Sequence, residues 1–381
     1  MFEDVDLLVC GAGPVGCVIA ERAANLLGWN VLVVDRRPHV AGNCHDSPAA
    51  NGVLVHNYGP HYFRTSDEAL LRYLSQFAEF IPANYEVRSL VRGTEFPFPI
   101  NLTTLERFFG RALDAASAEK LLAEKRVPIA KPANSEEFVL SRVGRELYEA
   151  FYLNYTLKQW DAHPRDLDPS VCGRVPVRLD RDHRYVGHTF QVMPKGGFTR
   201  LFARMLDHPK IRVTLDTPFS AVRGRTRPRR ATVYCGPIDE YFDNRLGRLP
   251  YRSLQFEFVP YQVEWRQPCV QINYPNDFAH TRSVEIKHVT GQAHPETVVS
   301  YETPASEGEP FYPVPRKESA ALYARYRALA DTETQRHRVY FCGRLAQYRY
   351  FNTDEVIQEA LACFQTIRER CAVPVSSHPA V

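Results

Sequence analysis

The sequence lacks paired cysteines and any excess of one charge. Its nine cysteines include no CxxC or CxxxC pair, so their spacing fits neither a zinc site nor a disulfide framework. Lys and Arg number 47 against 44 Asp and Glu, a formal net charge of +3 that provides no overall field for nucleic acid. We therefore expect reduced thiols, no metal site, no nucleic-acid partner, and anion recognition only where arginines cluster locally.

Long hydrophobic runs are also missing. The first six residues are acidic where a secretory signal would be basic, and the apolar stretch 7–20 is interrupted by glycines and a proline. We therefore expect no signal peptide, no contact with a membrane and a cytoplasmic location.

At 381 residues and 44% hydrophobic content, the chain is long enough for two or three domains with a large core, which excludes disorder. The aromatic content of 12% suits sites for planar or sugar-like ligands, as well as ordinary packing.

A glycine-rich turn lies between two apolar runs near the N-terminus. Leu7–Cys10 is followed by the turn GAGPVG at residues 11–16, a helix-like stretch at 17–27, the run Val31–Val34 and then Asp35. This is the order and spacing of a dinucleotide-binding βαβ unit. A purely structural glycine turn is the alternative, but it does not account for both strands, the helix and the acid together.

The residue types in this unit match the chemistry of a dinucleotide. Gly11 permits the tight turn, Gly13 lets the backbone approach a pyrophosphate, and Gly16 lets helix and strand pack closely. The helix N-terminus offers unpaired N–H groups to the anion, and Asp35 is placed to accept hydrogen bonds from a ribose diol. We predict a dinucleotide site here.

Two further features favour FAD over NAD. The basic and glycine-containing stretch 36–43 directly follows the acid, which is typical of FAD-binding chains. Near the other end, residues 339–344 read as a strand entering a glycine turn, and apolar residues at helical spacing follow over 356–367. Since no second GxGxxG unit exists, we predict one FAD-binding domain that is split along the chain.

These patterns predict an α/β fold with three parts. The split Rossmann-like FAD-binding domain takes residues 1–65, about 195–235 and 325–381. A helical domain takes about 66–170. It is followed by a mobile lid at about 171–183, a stretch that Gly173 and Pro176 interrupt. An antiparallel β-sheet domain takes about 184–194 and 236–324. The five arginines of residues 223–230 are interpreted as a solvated hairpin tip, and the segment after Cys371 is expected to fray.

Several strings go beyond a generic flavoprotein. They are GNC at 42–44, HNYGPHYF at 56–63, PFPINL at 97–102, YTLKQW at 155–160, RVPVR at 174–178, YRSL at 251–254, TR at 281–282, PFYPV at 310–314, and GRL at 343–345 with YRY at 348–350. In collinear order and over essentially the whole length, these strings closely resemble the bacterial UDP-galactopyranose mutases.

The resemblance implies a flavin-dependent isomerase. It would be a homodimer that binds FAD noncovalently, active when NAD(P)H or another external reductant has reduced the flavin. The reaction would interconvert UDP-galactopyranose and UDP-galactofuranose without net redox change. In the family's mechanism, N5 of reduced FAD attacks the anomeric carbon of the sugar, and UDP leaves and later returns.

The resemblance also implies roles for individual residues. Arg174 and Arg282 would clamp the diphosphate, and with His61 they are the expected catalytic residues. The expected substrate-binding residues are Asn84, Tyr155, Trp160, Arg174, Tyr185, Arg252, Arg282, Tyr312 and Tyr350, with Tyr155 and Trp160 bordering the uridine. The expected cofactor-binding residues are Gly11, Gly13, Pro14, Val15, Gly16, Asp35, Arg36, Gly42, Asn43, His56, Tyr58, His61, Gly343, Arg344, Tyr350 and Val356.

Two departures from the family pattern leave the identity of the sugar open. The chain has Asn352 where the bacterial pattern usually has Asp, and Thr303 where it has Tyr. TDP-fucose or UDP-N-acetylgalactosamine is therefore an alternative substrate. Two other classes share the flavin fold, namely FAD-dependent amine oxidases and the GDP-dissociation inhibitors, which carry prenylated proteins. An oxidase has no evident need for the Arg174 and Arg282 pair, and the intact glycine turn argues against a carrier with a degraded flavin site.

Overall fold

The computed structural model describes residues 4–372. The ends of the predicted FAD-binding domain, residues 1–3 and 373–381, lie outside this range, and so does the segment expected to fray, apart from Ala372.

The strands of this range pair into four sheets. They are β1 (Leu7–Cys10), β2 (Val31–Val34), β3 (Asp46–Pro48), β4 (Leu54–His56), β5 (Phe63–Thr65), β6 (Phe80–Pro82), β7 (Val87–Val91), β8 (Thr94–Phe98), β9 (Phe190–Pro194), β10 (Ile211–Thr214), β11 (Ala231–Tyr234), β12 (Tyr251–Tyr261), β13 (Gln271–Asn273), β14 (Arg282–Val284), β15 (Thr297–Ala305), β16 (Tyr312–Pro313) and β17 (Val339–Phe341).

The helices concentrate between residues 102 and 173 and at the C-terminal end. They are α1 (Pro14–Leu27), α2 (Glu68–Leu74), α3 (Leu102–Phe109), α4 (Ala115–Lys125), α5 (Ser135–Val143), α6 (Arg145–Leu147), α7 (Asn154–Trp160), α8 (Ser170–Gly173), α9 (Phe198–Leu206), α10 (Phe219–Val222), α11 (Ile238–Tyr241), α12 (Lys287–Thr290), α13 (Lys317–His337) and α14 (Thr353–Ala372). A π-helical turn, Tyr148–Leu153, leads directly into α7.

A five-stranded parallel sheet in the order β10-β2-β1-β11-β17 carries the glycine turn. Alternate residues of β1 face opposite sides, as the pleat requires. Leu7 and Val9 pack in the core that contains α1, whereas Leu8 and Cys10 pack in the core that contains Tyr326 of α13. Both faces are therefore covered, which explains why β1 and β2 are continuously apolar. These two strands occupy the residues that the sequence predicts.

A seven-stranded mixed sheet in the order β16-β12-β15-β14-β13-β7-β8 forms the second layer. All its pairs are antiparallel except β13 with β7. Strands β7 and β8 come from the range assigned to the helical domain. Val87 and Val91 alternate with half-buried residues along β7, a period-two pattern that the helical spacing of the following segments obscured.

The interpretation of residues 223–230 as a hairpin tip is wrong. The strands on either side, β10 and β11, are not neighbours, because β10 pairs with β2 and β11 pairs with β1, all in parallel. Parallel strands need a crossover connection, and these residues with α10 provide it. The five arginines are exposed, so the loop is solvated as expected.

Candidate functional site

A cavity of about 390 Å³ lies at the carboxyl end of β1 and β2, where ligands bind in open α/β sheets. We call it the glycine-loop cavity. The cofactor-site residues predicted from the sequence that line it are Gly11, Gly13, Pro14, Val15, Gly16, Asp35, Arg36, Gly42, Asn43, His61, Gly343, Arg344 and Val356.

The start of α1 is suited to a pyrophosphate. No side chain caps this helix, and its first turn contains no acidic residue, so its first N–H groups are free for an anion. A Cβ on Gly42 would come within 2.9 Å of Gly13 Cα, so the two glycines keep the cradle open. Asp35 accepts hydrogen bonds from Ala12 N–H (2.7 Å) and Arg37 N–H (2.9 Å), which fixes its carboxylate at the rim. These features fit a dinucleotide such as FAD.

Two predicted cofactor residues, His56 and Tyr58, do not line this cavity. Tyr58 lies under the guanidinium of Arg37, 4.2 Å from its ring centre, and bonds to His39. Arg37 also donates to Asn43, so Tyr58 stabilises the loop that carries Asn43 without lining the cavity. Tyr350, the third predicted residue outside the glycine-loop cavity, lines the neighbouring one.

His56 is 4% exposed and packs behind His61. Its Nδ1 accepts a hydrogen bond from the backbone N–H of His61 at 3.1 Å. Its Nε2 lies 3.8 Å from Asp46, whose carboxylate accepts from the first N–H groups of α9. Burial lowers the pKa of His56 to about 4, although Asp46 opposes the shift. The imidazole is therefore neutral at pH 7.

The burial of neutral His56 predicts acid sensitivity. Below its ordinary pKa of 6.5, the unfolded chain binds a proton that the folded chain does not, so this stability is complete above pH 6.5 and is lost towards pH 4. Between pH 6.5 and 5 we expect the free energy of unfolding to fall by about 2 kcal/mol through this group. His56→Gln should remove that part of the pH dependence in urea unfolding. His337→Gln, on exposed α13, should leave it unchanged, and an equal slope in both variants would contradict the assignment.

A second cavity, of about 270 Å³, lies between α7, the segment 171–188 and the mixed sheet. We call it the arginine cavity, because Arg64, Arg174, Arg282 and Arg344 line it. The substrate-site residues predicted from the sequence that line it are Tyr155, Trp160, Arg174, Tyr185, Arg282, Tyr312 and Tyr350.

The two cavities meet. His61, Arg344, Phe351, Asn352 and Thr353 line both of them. The far end of a dinucleotide in the first cavity would therefore face a ligand in the second.

Arg282 is held by a carboxylate on the neighbouring strand. The register of β14 and β15 places Arg282 opposite Glu302, and its Nε donates to Glu302 Oε2 at 2.6 Å. Glu302 is fully buried; burial raises its pKa, and the guanidinium opposes that shift. Arg282 Nη2 also donates to the Tyr312 hydroxyl at 3.2 Å. These two contacts fix the direction in which the guanidinium enters the cavity.

Arg174 has no such anchor. It follows α8, and its guanidinium lies 4.6 Å from the centre of the Tyr350 ring. Within residues 4–372 it forms no ion pair. Burial raises the pKa of Tyr350, but the nearby guanidinium groups, Arg174 first, outweigh burial and bring that pKa below its ordinary value. The potential in the cavity is therefore strongly positive, which suits a diphosphate.

His61 is neutral and oriented. Burial lowers its pKa to about 3, and the nearby Arg344 adds to the shift. Its Nδ1 donates to the Gly59 carbonyl at 2.9 Å, because a carbonyl can only accept. Nε2 is then the acceptor, available to a donor at the junction of the two cavities.

Asn84 and Arg252, two predicted substrate residues, do not line the arginine cavity. Asn84 is exposed, and its neighbour Tyr85 lines the cavity instead. Arg252 donates to the carbonyls of Gln159 (3.0 Å) and Lys158 (3.3 Å) at the end of α7. Carbonyls at a helix end have no partner within the helix, so Arg252 satisfies them and holds Trp160 in place.

Sequence reasoning missed Arg64, Tyr85 and His188, which line the arginine cavity. The sequence contains a signal for two of them. Arg64 directly follows the string at residues 56–63, and Tyr85 is adjacent to Asn84. The backbone of the connection between β6 and β7 turns Tyr85 inward and leaves Asn84 exposed, which residue type does not reveal.

Over residues 4–372, no cluster of three or more His, Cys, Asp or Glu side chains could hold a metal ion. None of the helices described there is long and apolar enough to cross a membrane.

Comparison with known proteins identifies relatives over nearly the full length. The family profile "GLF: UDP-galactopyranose mutase" matches residues 150–350, and an NAD(P)-binding Rossmann-like domain profile matches residues 9–77. The chain is 38% identical to "Probable UDP-galactopyranose mutase" of Klebsiella pneumoniae over 368 residues, covering 94% of each chain.

Two further comparisons bear on the substrate and the fold. The chain is 34% identical to dTDP-fucopyranose mutase of Escherichia coli, covering 94% of this chain and 97% of the relative. The crystal structure of a reduced UDP-galactopyranose mutase superimposes with a TM-score of 0.75 at 16% identity, covering 97% of this chain and 96% of the other.

Proposed function

The chain belongs to the UDP-galactopyranose mutase family, and from this premise we propose that it interconverts the pyranose and furanose forms of a nucleotide sugar. UDP-galactose is the substrate that the family points to first. The observation that carries the proposal is the junction of the two cavities at His61, Arg344, Phe351, Asn352 and Thr353. A sugar at the inner end of the arginine cavity would meet the reactive end of a cofactor in the glycine-loop cavity.

The cofactor we propose is FAD, which when bound and reduced supplies the nucleophile that the ring exchange needs. The residues of the chain do the rest. Exchange of the ring requires the bond between the anomeric carbon and the diphosphate to break and to form again. Arg174 and Arg282 are permanently charged and able to grip phosphate oxygens in pairs, so they stabilise the departing UDP and keep it near.

Aromatic side chains position the rest of the ligand. Tyr155 and Trp160, on α7, border the uridine, and Trp160 lies edge-on to Tyr312 at 6.2 Å between ring centres. The hydroxyls of Tyr185, Tyr312 and Tyr350 add neutral hydrogen bonds. Neutral His61 accepts a hydrogen bond at the junction without adding a further positive charge.

A thymidine nucleotide of a deoxy sugar is the second candidate. The 34% identical relative from Escherichia coli is named for dTDP-fucopyranose, and Asn352 departs from the usual bacterial residue at the junction. Family membership disfavours the oxidase and the prenyl-protein carrier. The homodimer, the external reductant and the cytoplasmic location stay predictions.

The function is tested by converting defined sugars with reduced protein. We expect dithionite-reduced holoenzyme to convert UDP-galactofuranose to UDP-galactopyranose, and ion-pair chromatography measures the conversion. The air-oxidised protein should be inactive. A parallel assay with dTDP-fucofuranose distinguishes the second candidate. Failure to convert any sugar of a UDP- and dTDP-linked panel, with reduction verified by absorbance, would contradict the proposal.

A further inference from the structure

Arg64 is a cation of the arginine cavity that the sequence did not single out. It lies on β5, and its Nη2 donates to Asn352 Oδ1 at 2.7 Å. Its Nη1 donates to the hydroxyl of Tyr85. Its Nε is buried and has no hydrogen-bond partner. Both partners of this guanidinium are therefore neutral, and one of its donors is unused.

No carboxylate of residues 4–372 lies within ion-pair distance of Arg64. Of the four arginines that line the cavity, Arg282 alone forms an ion pair in this part of the chain, with Glu302. Asp354 and Glu355, on the first turn of α14, are the nearby acids, and Glu355 Oε2 accepts a hydrogen bond from the backbone N–H of Asn352 at 2.7 Å. Asp354 is 7% exposed, burial raises its pKa, and its Oδ1 has no partner, so it compensates Arg64 weakly.

Arg64 has different hydrogen-bond partners from the two arginines of the proposed diphosphate clamp. Arg174 lies over Tyr350, and Arg282 is fixed by Glu302 and Tyr312. Arg64 instead bonds to Asn352, which lines both cavities at the junction where the reacting sugar would sit. A partly buried cation with neutral partners, placed beside the proposed position of the sugar, is best complemented by an anion on the sugar itself.

The hydrogen-bonding roles of Arg64 and Asn352 also favour an anionic ligand. A guanidinium can only donate, so the Asn352 amide must turn its oxygen towards Arg64 and leave its NH2 group for the cavity. That NH2 group has no acceptor among the residues that the structure describes. Asn352 thus presents an unused donor to the cavity, next to the positive charge of Arg64. A carboxylate, which only accepts, complements them, whereas Asp at position 352 would neutralise Arg64 and repel a carboxylate.

We propose that Arg64 and Asn352 form a carboxylate subsite and that the preferred substrate is a nucleotide sugar whose hexose carries a carboxylate on its exocyclic carbon. This inference rests on the proposed function and refines its sugar. The ring exchange replaces the bond between the anomeric carbon and O5 with one to O4. The carboxylate on C6 takes no part, so both ring forms retain it and the subsite can hold it throughout.

UDP-galactose and UDP-galacturonate test the proposal, because they differ only at C6. We expect reduced holoenzyme to show a kcat/KM at least tenfold higher for UDP-galacturonate. Oxidised holoenzyme should also bind it at least tenfold more tightly by calorimetry. Asn352→Asp, which is isosteric, should lower the ratio of the two kcat/KM values at least tenfold, mainly by raising KM for UDP-galacturonate.

Two further variants separate local from general effects. Asn30→Asp adds the same charge at an exposed position directly before β2, at the amino end of the strands and opposite the glycine turn, and should leave the ratio unchanged. Arg64→Gln should also lower the ratio, with melting of the holoenzyme to verify folding.

The outcomes distinguish this inference from the proposed function. Conversion of both sugars with UDP-galactose preferred, and a ratio that Asn352→Asp does not change, would show that Arg64 is a structural brace and overturn the inference. If neither sugar is converted, the proposed function fails for these substrates. The relative affinities of the two sugars, and their response to Asn352→Asp, would then decide the subsite independently.

Discussion

Arg174→Ala is expected to lower kcat/KM for the ring exchange by about a thousandfold, roughly 4 kcal/mol, without loss of dinucleotide binding. The loss should appear mainly in kcat, because the charge on the leaving diphosphate grows as its bond to the sugar breaks. Single-turnover kinetics with reduced enzyme would measure this step directly.

The structure makes Arg174 a clean position for this test. Over residues 4–372 it has no ion-pair partner, and its guanidinium lies over the face of Tyr350. Truncation therefore leaves no buried acid unpaired. Arg282 is less suitable, because its removal would strand the fully buried carboxylate of Glu302 and destabilise the fold.

Arg181→Ala is the matched control for Arg174→Ala. Arg181 lies in the same segment, is exposed and pairs with Glu106 away from the arginine cavity. An exposed pair of this kind contributes little to stability, so turnover and melting temperature should stay close to those of the unaltered chain. Equal turnover in the two variants would remove Arg174 from the diphosphate clamp.

The parallel sheet could be predicted from the sequence because its signals are local. The apolar runs of β1 and β2, the glycine turn and Asp35 lie within 35 residues, and together they match one structural unit. The seven-stranded mixed sheet was harder to predict. Strand β7 is five residues long and pairs with β13, which lies some 180 residues further along the chain. So short a strand gives only a brief alternation of buried side chains, and nothing in either segment identifies its partner over such a distance.

In the candidate site, too, some residues could be predicted from local strings of sequence and others only from the fold. Arg174, Arg282 and the tyrosines were found through strings that resemble a known family, and they line one cavity. The separate roles of Asn84 and Tyr85 depend on which side of the chain faces inward. Arg252 was assigned to the ligand because it is an arginine in a family string, but its partners are carbonyls at the end of α7. Residue type alone does not distinguish a carbonyl from a phosphate.

The net charge of +3 gave no indication of the arginine cavity. Four arginines converge on the arginine cavity from positions 64 to 344, and only Arg282 is paired with an acid among residues 4–372. Elsewhere, surface pairs such as Arg181 with Glu106 balance the count. A whole-chain average therefore carries no information about a cavity that the fold assembles from distant segments.

Gly16→Ala and Gly13→Ala are expected to abolish cofactor retention for different reasons. A Cβ on Gly16 would lie 1.8 Å from the Gly11 carbonyl oxygen and 3.0 Å from Val9 Cγ1, so α1 must move away from β1. We expect this variant to be insoluble, or to lose several kcal/mol of stability together with all bound flavin.

Gly13→Ala separates ligand contact from folding. A Cβ there would meet its nearest protein atom, Gly42 Cα, at an ordinary 3.7 Å, and the backbone at φ −77° is open to any residue. The apoprotein should therefore melt as the unaltered apoprotein does. The added methyl group projects where the pyrophosphate must approach the start of α1, so we expect flavin affinity to fall at least a hundredfold, about 3 kcal/mol. Flavin absorbance after gel filtration and melting of the apoproteins measure the two effects separately. Full retention of flavin by Gly13→Ala would contradict the placement of the pyrophosphate, and an unchanged melting temperature for Gly16→Ala would contradict the close contact of α1 with the glycine turn.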